Sequence, residues 1–298
     1  MNNPKVGTHI NFTSEETLTE IILSLNDIVE GYKIPNFQIY LGSRTGANMR
    51  NFSKKDIEDS LDIIDNRGFF IHSGLTNYLS SRINFRRFVE RRTKQELNTV
   101  KPFPLSGVVS HPGTRNSGGI IMELKETLDT IVDNIYKIYK DGNDGLGYLF
   151  LENAAGEGYK VFKNIDEMKY VIKKLEGKYD INGHSIARNI KICIDTCHLF
   201  AAGDYNISKI SEIKRFKKDF SKEIGLKYLK LIHLNDSKYD FGCRKDVHEI
   251  IGKGYLWKSP RILKAFFQEF KNIPYLCETK NFRECLPYIE SAKQLMNR

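Results

Sequence analysis

The sequence contains a set of nitrogen- and oxygen-bearing side chains of the kinds that bind transition metals. The set comprises five of the seven histidines and four carboxylates: His72, His111, His198, His233, His248, Glu152, Asp195, Asp246 and Glu278. Imidazole with carboxylate and without thiolate suits zinc, with manganese and iron as alternatives. Nine ligands exceed what one tetrahedral ion can use, so the set favours two or three ions. Sites with several metals are used for in-line displacement at phosphorus, which makes phosphodiester hydrolysis the leading reaction class.

Six of the nine side chains lie where a predicted β-strand ends. The third to sixth strands and the eighth end, in order, at His72, His111, Glu152, Asp195 and Glu278, and His233 is the last residue but one of the seventh. His198 follows the sixth strand by a few residues, and Asp246 and His248 fall in the long segment after the seventh. A single histidine at a strand end is more often a hydrogen-bonded core residue than a ligand. Nine such groups at one mouth would bury several unpaired charges, at several kcal/mol each, unless metal ions neutralise them.

The elements that position these residues are predicted from hydrophobic periodicity. Short β-branched or aromatic runs alternate with longer segments of helical period, which indicates a parallel sheet with helical crossovers. The predicted strands are 6–10, 37–41, 68–72, 107–111, 148–152, 190–195, 228–234 and 275–278. Eight strands is the number in a barrel whose active site lies at the carboxyl ends of the strands. No repeat or linker divides the chain, so we predict an α/β fold, a single (β/α)8 TIM-barrel domain over residues 1–298.

Two further features refine the predicted barrel. Thr13 and Glu16 predict a capping box at the start of the first helix, and Gly31 predicts its end. The connections 73–106 and 235–260 are longer than a simple barrel requires. Because both follow a strand, we expect both to add loops at the face that holds the site.

Composition constrains the partners and the compartment. Lysine and arginine outnumber aspartate and glutamate by 46 to 37, which gives a formal net charge of +9 and a pI near 9.1. This balance favours a polyanionic partner such as nucleic acid, although charge alone is a weak signal. No apolar run approaches the roughly 20 residues that span a bilayer, and the N-terminus lacks the apolar region of a secretory signal. We therefore predict a soluble intracellular protein with no membrane partner, with cytoplasm and nucleus both open. Richness in lysine, isoleucine and asparagine indicates an AT-rich genome, cellular or viral.

Six short segments resemble, in order along the chain, those of the endonuclease IV family of abasic-site endonucleases. They are HPG at 111–113, LENAAG at 151–156, CIDTCH at 193–198, HLNDSK at 233–238, DVH at 246–248 and CET at 277–279. The resemblance runs through most of the chain, and every metal-ligand position of the family carries an acceptable residue. It implies a monomeric barrel that cuts duplex DNA 5′ to an abasic site in base excision repair, leaving a 3′-hydroxyl and a 5′-deoxyribose phosphate.

The resemblance also implies three zinc ions per chain, with manganese an alternative at one or more sites. The implied ligand sets are His72, His111 and Glu152 for the first ion; Glu152, Asp195, His233 and Glu278 for the second; and His198, Asp246 and His248 for the third. A hydroxide held between ions would be the nucleophile, because zinc lowers the pKa of bound water. Glu152 and Glu278 would be the catalytic groups that position it.

Contacts with the DNA follow from the same resemblance. The abasic nucleotide must leave the helix to reach such a site, and unstacking costs least where the base is already missing. Arg44 matches the position of an arginine that enters the duplex in the family. Leu75 and Thr76 stand where the family often carries tyrosine and leucine, so the expected wedge departs from the usual pattern. His9 ends the first strand at the same mouth, where it is placed to donate to phosphate or to support a ligand.

A run of five arginines between positions 82 and 92 has two interpretations. It predicts either contacts with DNA phosphates or a solvated helix face.

Two other functions stay open on the sequence alone. A sugar isomerase or epimerase of a related barrel needs one or two ions, so it would not use His198, Asp246 and His248 as ligands. A net positive charge also adds little to the binding of a small sugar. A non-catalytic DNA-binding protein would require lost ligands or a blocked cavity, and the sequence shows neither.

Overall fold

In the computed structural model, eight parallel strands close into a barrel in which neighbours in space are neighbours in the chain. The barrel strands are Val6–His9, Asn36–Ile39, Gly68–His72, Ser106–Ser110, Leu149–Glu152, Ile190–Asp195, Leu229–His233 and Tyr275–Cys277. The eighth strand pairs with the first and completes the closure. The structure describes residues 4–13, 15–42, 49–74, 77–117, 119–142, 146–279 and 281–297. The predicted (β/α)8 barrel is confirmed.

Helices connect these strands. They span Leu18–Ser24, Lys54–Ile63, Ile83–Val100, Leu124–Tyr139, Ile165–Glu176, Thr196–Ala202, Ile210–Glu223, Pro260–Glu269 and Phe282–Met296, with a 3-10 turn at Ile186–Asn189. Two short hairpins lie on the site face, one at Asn116–Ser117 with Ile120–Ile121 and the other at Asp236–Ser237 with His248–Glu249. Within the described ranges, no helix combines the length and the apolar character that crossing a membrane requires.

The alternation of side chains along the strands explains how the barrel presents polar groups at one end. Six buried apolar side chains form a small cluster inside the barrel: Phe70, Val109, Phe150, Cys193, Leu231 and Leu276. Each of them stands two positions before one of the six strand-end histidines and carboxylates named above. Residues i and i+2 of a strand share a face. The six polar side chains are therefore the next layer of the same interior, at the carboxyl end.

The prediction for the first helix was wrong at both ends. The helix spans Leu18–Ser24, with Thr17 as its N-cap, and it ends well before Gly31. Thr17 Oγ1 accepts from the Glu20 backbone N–H at 3.1 Å, and a Glu20 carboxylate oxygen accepts from the Thr17 N–H at 2.7 Å. The predicted pair at Thr13 makes only a local hydrogen bond ahead of the helix. The Thr-x-x-Glu pattern occurs twice here, and the second occurrence precedes the buried apolar face.

The prediction for the segment 73–106 also needs correction. Most of this segment is the helix Ile83–Val100, which is the crossover to the fourth strand, so among its described residues only 73–74 and 77–82 precede the helix at the site face. The segment 235–260 behaves as predicted, because it forms a hairpin and turns on that face before the next helix begins at Pro260.

Candidate metal centre

Glu152 lies at the centre of the polar cluster at the carboxyl end of the barrel. Its carboxylate is fully buried. One oxygen, Oε2, is 3.2 Å from Nε2 of His72 and 3.6 Å from Nε2 of His111. The other oxygen, Oε1, is 2.9 Å from Nδ1 of His233 and 3.6 Å from Nδ1 of His198. A single carboxylate thus faces imidazoles from four different parts of the chain, which is the arrangement a bridging ligand requires.

The candidate ligand atoms fall into three groups, in each of which they lie within 4.8 Å of one another. The groups are His72, His111 and Glu152; Glu152, Asp195, His233 and Glu278; and Asp195, His198 and His248. Asp246 adjoins the third group, because its Oδ1 is 3.0 Å from Nε2 of His198 and 3.3 Å from Nε2 of His248. The structure thus brings together all nine residues named from the sequence. Their roles as ligands stay a prediction.

Unpartnered imidazole nitrogens show that this donor set fits metal ions. Nε2 of His198 and Nε2 of His248 are buried, and neither has a hydrogen-bond partner of suitable geometry among the described residues. The opposite nitrogen of His198, Nδ1, is hydrogen-bonded to the Asn153 carbonyl at 2.8 Å, and Nδ1 of His72 to the Ser73 carbonyl at 2.8 Å. A carbonyl acceptor fixes the hydrogen on Nδ1 and directs the Nε2 lone pair into the cluster, as in metal-binding histidines. Divalent ions fit these residues.

The pKa values of Glu152 and His111 are shifted towards the forms of these side chains that bind metal. Burial raises the pKa of Glu152, but the charge of His233 and the hydrogen bonds from His233 and His72 oppose burial, and this pKa lies well below its ordinary range. Burial lowers the pKa of His111 to about 3. Glu152 is therefore an anion and His111 a neutral imidazole near neutral pH, which are the forms that bind metal.

The cluster opens into a cleft of about 1180 Å³. His9 lines this cleft, with its Nδ1 3.2 Å from Nε2 of Gln38 and its ring centroid 4.7 Å from that of Tyr40. Arg50 lines it as well, and its guanidinium carbon is 5.1 Å from the centroid of the Phe52 ring. The cleft therefore combines the polar cluster with aromatic and cationic groups at its rim. The structure places His9 at the mouth, as expected from the sequence.

The three other residues named for DNA contact, Arg44, Leu75 and Thr76, lie outside the described residues.

Comparisons with known proteins identify the family. The family described as xylose isomerase-like TIM barrel matches residues 35–297. A probable endonuclease 4 of Metamycoplasma arthritidis is 30% identical over 298 residues, which cover 98% of this chain and 99% of that protein. The chain belongs to the endonuclease IV family. Apurinic-apyrimidinic endonuclease 1 of Saccharomyces cerevisiae is 31% identical over 218 residues, which cover 73% of this chain and 54% of the yeast protein. The crystal structure of endonuclease IV from Thermus thermophilus shares its fold, with a TM-score of 0.75 at 19% identity over 97% of this chain and 100% of that one.

Two asparagines of this endonuclease IV homologue hold Asp195 and Glu278 in place, one through the backbone and one through the carboxylates. Asn153 Oδ1 accepts from the backbone N–H of Asp195 at 2.6 Å. Asn235 Nδ2 donates to Asp195 Oδ2 at 2.6 Å and to Glu278 Oε2 at 3.2 Å, and its Oδ1 accepts from the Glu278 N–H at 2.9 Å. This role was not predicted from the sequence. Both asparagines lie in segments that carry the family resemblance, and each closely follows a ligand candidate at a strand end. This position in the sequence could have indicated their role.

The loop that carries Asp246 and His248 is held by a buried carboxylate, Asp236. Asp236 accepts five backbone hydrogen bonds at 2.8 to 3.3 Å, from the N–H groups of Ser237, Gly252, Gly254, Leu256 and Trp257. Gly254 is required here, because a Cβ atom at this position would lie 2.5 Å from an Asp236 oxygen. The segment 252–254 is thus a turn that fixes the loop of the third ligand group.

We expect Asp236→Asn to lower the free energy of unfolding by about 3 kcal/mol, because hydrogen bonds to a charged acceptor contribute roughly 1.5–3 kcal/mol each. The amide keeps the shape but turns one acceptor oxygen into a donor that faces N–H groups. Chemical denaturation of the two proteins measures the loss. Asp240→Asn is the matched control, since Asp240 is exposed on the same loop and accepts from the neighbouring Phe241 N–H. Equal losses in the two variants would contradict the assignment.

The arginine run splits into two classes. Arg82, Arg86 and Arg92 are each paired with a neighbouring side chain, and Arg92 is buried. Arg87 and Arg91 are exposed, lie one helical turn apart, and make no ion pair within the described part of the chain. Within this run, Arg87 and Arg91 are therefore the two arginines that are exposed and outside any ion pair of the described residues.

Proposed function

We propose that this chain is a metal-dependent endonuclease that hydrolyses the phosphodiester bond 5′ to an abasic site in duplex DNA and leaves 3′-hydroxyl and 5′-deoxyribose phosphate ends. The observation that carries the proposal is the arrangement of eight nitrogen and oxygen donors in three connected groups, with Asp246 beside the third group, at an open cleft. The relatives named endonuclease 4 and apurinic-apyrimidinic endonuclease support abasic DNA as the substrate. The role that follows is incision during base excision repair.

Three divalent ions, zinc by preference and manganese as an alternative, would activate a water molecule and offset charge on the phosphate. The protein supplies the shape of the site. Glu152 faces two ligand groups from the buried side. Glu278 has 13% of its side chain exposed and so reaches the cleft. Burial raises the pKa of Glu278, but His233 outweighs burial and lowers it. An ionised Glu278 is therefore placed to accept a hydrogen bond from the attacking water.

Several features of the mouth support a DNA substrate. The net charge of +9 favours a polyanion, and the cleft is large enough to take a group extruded from a duplex. Within this proposal His9 donates to a phosphate, Arg44 enters the duplex, and Leu75 and Thr76 occupy the positions of the family's wedge. Extrusion costs least at an abasic site, so lesion selectivity needs no sequence readout.

A sugar isomerase or epimerase is the second candidate, because the family description itself shows that such barrels share this fold. The third group of donors argues against it. Asp246 lies 3.0 Å from His198 and 3.3 Å from His248, in an arrangement that a one-ion or two-ion sugar site leaves unused. The nuclease uses all three residues.

One experiment tests the proposed function. The purified protein is assayed for metals by elemental analysis and incubated with a duplex that carries one synthetic abasic site. About three zinc ions per chain and a single nick on the 5′ side of the lesion are expected. An intact duplex after incubation with zinc-loaded protein would overturn the nuclease proposal, and epimerisation of a free ketose with one ion per chain would favour the sugar enzyme.

The two unpaired arginines give a prediction for DNA binding. Replacing Arg87 and Arg91 together by alanine is expected to weaken binding and to reduce the slope of log K against log salt by about 2, because each lost phosphate contact removes roughly 0.9. Binding titrations on an abasic duplex at several salt concentrations measure this slope. Lys101 and Lys271 are exposed and precede strands at the opposite face of the barrel, so their double alanine variant is the control. Equal slopes in all three proteins would contradict the phosphate contacts.

A further inference from the structure

Gln38 is a fully buried amide that touches the metal cluster from the second strand. Its Oε1 is 3.0 Å from Nε2 of His233. Its Nε2 is 2.8 Å from Oε1 of Glu278 and 3.2 Å from Nδ1 of His9. One side chain therefore meets two candidate ligands of the second ion and one residue of the cleft rim. No role for it was predicted from the sequence.

The chemistry of these partners fixes which way the amide points. An ionised carboxylate only accepts hydrogen bonds, so the NH2 group of Gln38 must face Glu278. The carbonyl oxygen then faces His233 and can only accept, which requires the hydrogen of that imidazole to be on Nε2. In the neutral ring that binds metal, the lone pair of His233 is consequently on Nδ1, the nitrogen that lies 2.9 Å from Glu152 and 3.3 Å from Glu278. Gln38 thus selects the nitrogen that His233 offers to the cluster.

This selection sets His233 apart from other histidines of the cluster. His72 and His198 hydrogen-bond to carbonyl groups through Nδ1 and direct Nε2 inward. His233 is turned the opposite way, with Nε2 outward. An uncharged amide is also suited to this position, because a carboxylate in its place would add a further negative charge directly against Glu278.

We propose that Gln38 is a positioning residue for the second ion: it fixes the tautomer of His233 and the orientation of Glu278 through hydrogen bonds that leave none of its polar groups unused. The proposal rests on the metal-dependent function proposed above. Outer partners of metal ligands typically contribute tenfold to a hundredfold in metal affinity, and we expect an effect of that size here.

Cobalt binding to a Gln38→Met variant tests the proposal without reference to incision. Methionine keeps the length and removes every hydrogen bond. We expect one cobalt ion to bind about tenfold to a hundredfold more weakly, with a changed visible absorption spectrum for that ion. Asn36→Leu is the matched control: Asn36 is a buried amide two residues earlier on the same strand face, and it hydrogen-bonds to the Lys5 carbonyl instead. This control should keep the wild-type spectrum and affinity, and a wild-type spectrum and affinity in Gln38→Met would overturn the proposal.

A measurement on the unsubstituted protein gives an independent answer if Gln38→Met does not fold. In the zinc-loaded protein with 15N-labelled histidines, nitrogen chemical shifts report which ring nitrogen carries the hydrogen. The hydrogen is expected on Nε2 of His233 and on Nδ1 of His72 and His198. A hydrogen on Nδ1 of His233 would overturn the inference while leaving the nuclease proposal intact. Wild-type protein that binds neither zinc nor cobalt would instead defeat the proposed function, and the inference with it.

Discussion

Glu152→Gln is expected to lower kcat for incision by about a thousandfold or more while the barrel stays folded. Glutamine has the same shape, but one carboxylate oxygen becomes an NH2 donor. Glu152 uses both oxygens, one towards His72 and His111 and the other towards His233. The amide cannot bridge two cations, and its donor group would face an imidazole nitrogen whose lone pair is needed for metal. The first two ligand groups therefore lose their shared member at once.

Single-turnover incision of a duplex with one abasic site measures this effect, together with the metal content of the variant. Glu249→Gln is the matched control. Glu249 lines the same cleft, but its carboxylate accepts from the Ile250 backbone N–H and it belongs to none of the three ligand groups. The control should retain its metal and incise at close to the wild-type rate. Near-normal turnover by Glu152→Gln would mean that the bridging assignment is wrong.

The strands and the convergence of the site could be predicted because both depend on local sequence periodicity. A buried strand alternates its faces with a period of two, so an interior residue such as Phe150 fixes the direction of Glu152. A parallel barrel then brings the carboxyl ends of all strands to one mouth. Once eight strands are counted, the meeting of His72 with Glu152 follows from topology and needs no knowledge of their contacts.

The positioning residues could not be predicted in the same way, because their partners are far away in the sequence. Gln38 hydrogen-bonds to residues 195 and 240 positions further along the chain. A glutamine within a strand carries no sign of these contacts.

The start of the first helix could not be predicted for a different reason. Two identical capping patterns precede it, and only the packing of Leu18 and Ile21 against the barrel selects the second.

Removal of the metal ions is expected to lower the melting temperature by roughly 8 °C. A ligand that binds only the native state stabilises it by about 4 kcal/mol at a thousand times its dissociation constant, and each kcal/mol shifts the melting temperature of a domain this large by about 2 °C or more. Thermal melts with bound zinc and after dialysis against a chelator measure the shift. Zinc should restore the melting temperature, whereas magnesium, which prefers oxygen ligands in octahedral geometry, should not. An unchanged melting temperature after complete removal of zinc would contradict the metal centre.

The dependence of this shift on pH tests the same centre more sharply. Burial lowers the pKa values of His72, His198 and His248, but in the chelated protein the adjoining carboxylates outweigh burial and raise these values above 6.5. These folded-state pKa values are higher than those of the unfolded chain, so the protonated histidines stabilise the chelated protein. This stabilisation is fully present below pH 6.5 and is lost as pH rises through the raised values. Zinc requires the same nitrogens without protons, so its contribution grows as pH rises. The difference in melting temperature between the zinc-loaded and chelated proteins should therefore widen from about pH 6 to pH 8. A difference that narrows over this range would show that the histidines do not bind the metal.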